Sequence, residues 1–78
     1  MNKDNELKKL ASKIKHLRVE RGFSQEELAH RCGFDRTYIS MLERAKRNPT
    51  YFNLLKLADG LNASLIEILS YKSNDNRK

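Results

Sequence analysis

The sequence predicts an all-α fold, five short helices gathered into one compact bundle. Three observations carry that expectation. Apolar residues recur at three- and four-residue spacing through most of the chain, as one face of a helix requires. No stretch alternates for long enough to read as a strand. Breakers are scarce, three glycines and one proline, and Gly22, Gly33 and Pro49 fall where helices should stop or start. A chain of 78 residues has room for one core, so a single domain is expected over residues 1–78, its core at about 7–70 and a frayed polar tail at 71–78.

Leu7, Leu10, Ile14 and Leu17 set the first helix, and Gly22 ends it near Arg21. Ser24 and Glu27 have capping-box spacing and open a second helix whose apolar face is Leu28, Ala29 and Cys32. Gly33 stops it. Asp35 is expected to cap a third helix, its carboxylate at the positive end, with Ile39 and Leu42 turned inward. The basic linker 45–49 leads to Thr50, the cap of a fourth helix with Leu54, Leu55, Leu57, Ala58 and Leu61 as its apolar set. Asn62 tolerates the left-handed conformation that ends it. Ser64 and Glu67 make a second capping box for a short fifth helix. There Leu65, Ile68 and Leu69 share one face and close the core, while Ile66 points about 100° away. With Tyr71 just beyond, Ile66 is expected at a small two-fold interface between copies, although packing against the first helix would also account for it.

The formal net charge is +6, which favours a polyanionic partner. Its distribution says more. Residues 36–47 carry Arg36, Arg44, Lys46 and Arg47 against Glu43 alone, a net of +3, whereas residues 50–69 carry Lys56 against Asp59 and Glu67, a net of −1. The lysines of the first helix are equally well explained as a solvated face. No run approaches the roughly 18 apolar residues of a membrane span, and the first residues lack a signal peptide's apolar segment. One cysteine permits no internal disulfide. A cytoplasmic protein is expected.

Gly-Phe occurs at 22–23 and again eleven residues later at 33–34, each time before a residue that caps helices. Two short helices joined by such a turn can be a plain packing corner. The basic cluster on the second of them favours a helix-turn-helix. With Ile39 at zero, Leu42 falls near −60° and Glu43 near +40°, inward, while Thr37, Ser40, Met41 and Arg44 fall at about 100–200°, outward. Arg36 lies in the first turn and Tyr38 on the flank. Arginine can pair with guanine O6 and N7, threonine can meet a thymine methyl, and hydroxyls can reach bases or phosphates. Arg36, Thr37, Tyr38, Ser40 and Arg44 are therefore candidate base contacts. Lys46, Arg47 and Asn48, with Gln25 beside the free N–H groups of the second helix, are candidate backbone contacts.

An inward Glu43 needs a partner, and Arg18, one turn past Ile14, can reach it as a bidentate pair; a surface pair of little value is the competing account. No catalytic set emerges, because the acids are scattered or used as caps and there is no glycine-rich phosphate loop. His16 and His30 lie on different helices without partners, so no metal, cofactor or small-molecule ligand is expected. Cys32 reads as a small hydrophobe.

The run IKHLRVERGFSQEELAHRCGFDRTYISMLERAKRNPTYFNLLKLADGLNASLIEIL resembles the Cro/C1-type helix-turn-helix family of phage repressors and bacterial xenobiotic-response-element regulators. SQEELA, Ile39-Ser40, Leu42-Glu43, Asn48-Pro49 and LLKLADGLN are specific in combination. The resemblance implies a lambda repressor-like five-helix domain that binds operator DNA as a homodimer, reads bases with its third helix and pairs Arg18 with Glu43. DRTYIS followed by ERAKRNPT is similar to the controller proteins of restriction-modification systems, small dimers that regulate their own gene and the endonuclease gene. In that subgroup the residues at Arg36, Thr37, Tyr38 and the basic linker contact DNA. Ala45 and Asn62 depart from the family's glycines, and the first is expected to alter the linker path. A phage-type repressor and an antitoxin that holds a toxin protein are the alternatives; the second usually needs an extension longer than the tail here. A DNA-modifying enzyme would need the catalytic residues that do not emerge.

Overall fold

The computed structural model describes residues 2–70; Tyr71 and the rest of the 71–78 tail lie outside the described residues. Five helices follow in order: α1 (Lys3–Glu20), α2 (Gln25–Cys32), α3 (Arg36–Glu43), α4 (Tyr51–Leu61) and α5 (Leu65–Leu69). No strand occurs among the described residues. The first helix begins four residues earlier than its apolar spacing implies, because Asn2 caps it: Asn2 Oδ1 accepts from the Asn5 N–H at 3.1 Å. Residues ahead of Leu7 contribute no periodic apolar signal, so only the cap marks this start.

Four helices end in the same way. After α1 the Phe23 N–H donates to Arg18 O at 3.0 Å and Gly22 N–H to Val19 O at 3.0 Å. After α2 the bonds are Phe34 to Ala29 O and Gly33 to His30 O; after α3, Lys46 to Met41 O and Ala45 to Leu42 O; after α4, Ala63 to Ala58 O and Asn62 to Asp59 O. Each is a Schellman turn, with one left-handed residue followed by one whose N–H reaches back five positions. Gly22 and Gly33 have φ of 77° and 79°, which explains the repeated Gly-Phe: glycine takes the left-handed position and the phenylalanine packs against the core. Ala45, at φ 59°, makes the same Schellman turn without glycine.

The helix starts are less uniform. Ser24, Thr50 and Ser64 accept from the N–H groups of Glu27, Asn53 and Glu67 at 3.0, 3.1 and 3.0 Å. Glu67 does not complete its capping box, since its carboxylate faces Arg21 at 3.5 Å. Asp35 precedes α3 in extended conformation but makes no side-chain cap bond, so its help to the helix is electrostatic only.

Ile14, Leu17, Leu28, Ile39, Leu42, Leu57, Leu61 and Ile68 form the fully buried centre. Helix α2 packs on α3 and α4, α1 on α3 and α5, and α4 on α5. Two expected core residues are outside it, Leu55 at 37% and Leu69 at 46% exposure. Leu54 and Leu65 are half-buried. Five residues of α5 give one inward turn, and Ile68 takes it.

Gly60 owes its place to packing. A methyl there would collide with Cys32 Sγ and lie 3.3 Å from the Cys32 backbone N, because α2 and α4 cross at this point. The Gly60 carbonyl accepts from Arg31 Nε at 2.6 Å. Burial pushes the Cys32 thiol up to about 11, so it is a neutral packing group at physiological pH. Alanine would gain about 1 kcal/mol of helix propensity at this position, but overpacking a closed crossing costs about 1–3 kcal/mol. Gly60→Ala should therefore lower the midpoint of thermal unfolding; a raised midpoint would show that the crossing can relax.

Candidate nucleic-acid interface

The α2–turn–α3 unit sets a short helix on the outside of the bundle. Ile39 and Leu42 anchor it, at 0% and 2% exposure, and everything on the far side is free to meet a partner. Arg36, Thr37 and Arg44 are exposed, and Ser40 and Met41 half-exposed, on that outward side. Lys46, Arg47 and Asn48 follow, also exposed, and the Schellman turn at Ala45 keeps them at the end of α3. Arg44 Nε folds back on the Ser40 carbonyl at 3.3 Å, a weak bond that a stronger acceptor can displace.

Glu43 does not dilute this positive surface. Its side chain is 3% exposed and that of Arg18 is 12% exposed. Arg18 Nε donates to Glu43 Oε2 at 2.6 Å and its Nη2 to Oε1 at 3.0 Å, while Nη1 donates to the Phe23 carbonyl at 2.8 Å. The hydrogen bond to Glu43 raises the Arg18 pKa above its ordinary value against the opposing effect of burial. With Glu43 so occupied, Arg36, Arg44, Lys46 and Arg47 have no carboxylate partner among the described residues. Four unneutralised cations face outward from one helix and its linker. That arrangement suits a polyanion.

Two of the sequence-derived candidates have additional structural ties. Gln25 Nε2 donates to Glu43 Oε1 at 3.1 Å, so its side chain braces the buried pair. Its backbone N–H, in the first turn of α2, is among those a helix leaves without an internal partner. Tyr38 is half-buried, its ring edge-on to Phe34 at 4.7 Å between centroids and its hydroxyl accepting from Asn53 Nδ2 at 2.9 Å. Asn53 was not visible as a candidate in the sequence. It reads there as a first-turn residue capped by Thr50, and nothing in the spacing directs it to a tyrosine fifteen positions back.

A short helix held outward by a glycine turn, with its cations without carboxylate partners and its one acid turned inward, defines the class: a helix-turn-helix protein with a basic outward face. The chain belongs to the Helix-turn-helix family, whose sequence pattern matches residues 14–68. It is 43% identical over 63 residues to an uncharacterized HTH-type transcriptional regulator, y4dJ, of Sinorhizobium fredii, covering 81% of this chain and 82% of that one. It is 41% identical over 68 residues to the control protein C.MunI of a Mycoplasma species, covering 85% and 92% respectively. Among solved structures it is similar to the restriction-modification controller protein C.AhdI of Aeromonas hydrophila, with a TM-score of 0.80 and 39% identity over 82% of this chain and 97% of that one.

Removing the Glu43 carboxylate leaves the largely buried Arg18 guanidinium with the Phe23 carbonyl alone. Glu43→Ala should cost about 3–5 kcal/mol, a large share of a small domain's stability, seen as a lower denaturant midpoint. An unchanged midpoint would mean that water already satisfies Arg18.

Proposed function

We propose that this DNA-binding transcriptional regulator binds an inverted-repeat operator as a homodimer and serves as a restriction-modification controller of its own gene and the endonuclease gene. It would act in the cytoplasm by binding alone, without chemistry of its own. The observation that carries the reading is the set of four unpaired cations on α3 and its linker, with the acid between them turned inward. The match to control proteins over nearly their whole length supports the subgroup. Arg36, Thr37, Tyr38, Ser40 and Arg44 would contact bases; Gln25, Lys46, Arg47 and Asn48 would hold the sugar-phosphate backbone.

The dimer rests on exposed apolar surface. Ile66 is 78% exposed on α5, and Leu55 and Leu69 add apolar surface on α4 and α5. Such side chains favour a covering partner, and a second copy supplies one with two-fold symmetry. Tyr71, expected beside Ile66, lies outside the described residues. Two third helices related in this way would sit about 34 Å apart, one DNA turn, which makes the half-sites inverted repeats.

Selection of bound sequences from a random DNA pool should return such a repeat; a single asymmetric half-site would count against the dimer. Arg36→Ala should cost about 1–3 kcal/mol on the selected site and much less on random DNA, whereas Lys46→Ala should weaken both alike and reduce the salt slope by about one. Anisotropy titrations at several salt concentrations separate the two, and equal losses for Arg36→Ala on both DNAs would remove it from base readout. Ile66→Lys should sediment as a monomer and lose tight operator binding while keeping its helical circular dichroism. A variant that stays dimeric and binds normally would place the interface elsewhere.

A further inference from the structure

Tyr38 is fixed from three sides by groups outside its own helix. Asn53 Nδ2 donates to Tyr38 Oη at 2.9 Å, the Phe34 ring meets it edge-on, and the Arg47 guanidinium lies 5.1 Å from the ring centroid. Asn53 is itself held, its backbone N–H donating to Thr50 Oγ1 at 3.1 Å where α4 begins. A phenolic hydroxyl has one proton to give and lone pairs with which to accept. Because Asn53 occupies the acceptor side, the proton is left to be donated outward.

We propose that Asn53 is a positioning residue that fixes Tyr38 as a hydrogen-bond donor toward DNA. The proposal rests on the reading of α3 as the DNA-facing helix. Duplex DNA offers acceptors of the required kind in its phosphate oxygens and in guanine O6 and N7, adenine N7 and thymine O4. A donor of fixed polarity suits all of these and is mismatched to the amino groups of cytosine and adenine. Arg47, stacked on the same ring, sets a cation beside the donor, so a charge and a directed proton are presented together. Tyrosine alone could turn its hydroxyl to suit a donor or an acceptor; with the Asn53 amide donating to it as here, the hydroxyl donates outward.

The test is a double-mutant cycle on the full chain, read by anisotropy on the selected operator and on random duplex, with Arg36→Ala as control. Tyr38→Phe and Asn53→Ala should each weaken operator binding about five- to tenfold, the worth of one hydrogen bond, and the double variant should be within about twofold of Tyr38→Phe. Asn53→Asp is nearly isosteric but can only accept, so it captures the hydroxyl proton and should weaken binding more than Asn53→Ala does. Measuring it again in the Tyr38→Phe background subtracts the plain effect of the added charge. A carboxylate in the first turn of α4 favours the helix, so the melting point of Asn53→Asp should not fall; a merely structural asparagine would change melting and not the cycle.

Losses confined to the operator place the acceptor on a base edge, and equal losses on both DNAs place it on a phosphate. Additive losses in the cycle, or wild-type binding by Tyr38→Phe or Asn53→Asp, overturn the proposal. If Arg36→Ala loses no discrimination, the reading of α3 as the DNA-facing helix has failed, and the proposal with it. If Arg36→Ala loses discrimination as expected while the cycle is additive, the failure belongs to Asn53 alone.

Discussion

Burying the Glu43 carboxylate at the end of α3 obliges three other segments to come to it. Arg18 arrives from α1 with two parallel hydrogen bonds, Gln25 arrives from the start of α2, and the remaining Arg18 donor closes on the Phe23 carbonyl between them. A half-satisfied carboxylate in this position would cost several kcal/mol, so the geometry is nearly all-or-none. Its direct product is the angle of α3. The apolar contacts of Ile39 and Leu42 alone would tolerate a roll about the helix axis; a bidentate pair at the helix end does not.

The same burial shapes the field that a ligand meets. An exposed Glu43 would stand one residue from Arg44 and three from Lys46, and would cancel part of their attraction for phosphate. Turned inward and matched by Arg18, it leaves Arg36, Arg44, Lys46 and Arg47 as the charged side chains exposed from Arg36 to Arg47. Other acids pair elsewhere, Glu20 and Glu67 with Arg21 and Glu6 with Lys9. Four of the sixteen lysines and arginines thus stand on α3 and its linker without a carboxylate partner among the described residues.

Much of this was legible from sequence because the signals are local. Ser24, Thr50 and Ser64 cap helices through bonds spanning three residues, and Gly22, Gly33 and Asn62 end them through turns spanning five. The Arg18–Glu43 pair follows from a helical wheel and one unsatisfied acid. What escaped depends on how helices cross. Leu55 and Leu69 have core spacing yet stand at the rim, since a stripe on a short helix meets its neighbour over one turn only. Gly60 looks like a poor helix residue until α2 is laid across it. Asp35 has the right type and position for a cap, but its side chain makes no bond. Asn53 and Gln25 read as first-turn residues, and their partners lie fifteen and eighteen positions away.

The four matching Schellman turns carry a kinetic consequence. Each is closed by residues no more than five apart, so the stops between helices cost little loop entropy and can form before the bundle condenses. The helices after α1 are themselves too short to stand alone, at eight, eight, eleven and five residues, and gain their stability on docking. Helical domains of such local wiring fold in about microseconds to milliseconds. Ala45 and Asn62 are the two stops in this set without glycine, and Ala45 carries the larger left-handed penalty, about 1–2 kcal/mol, since asparagine tolerates that region better. The end of α3 is therefore the boundary that leans most on tertiary contacts, those of Ile39, Leu42 and Glu43.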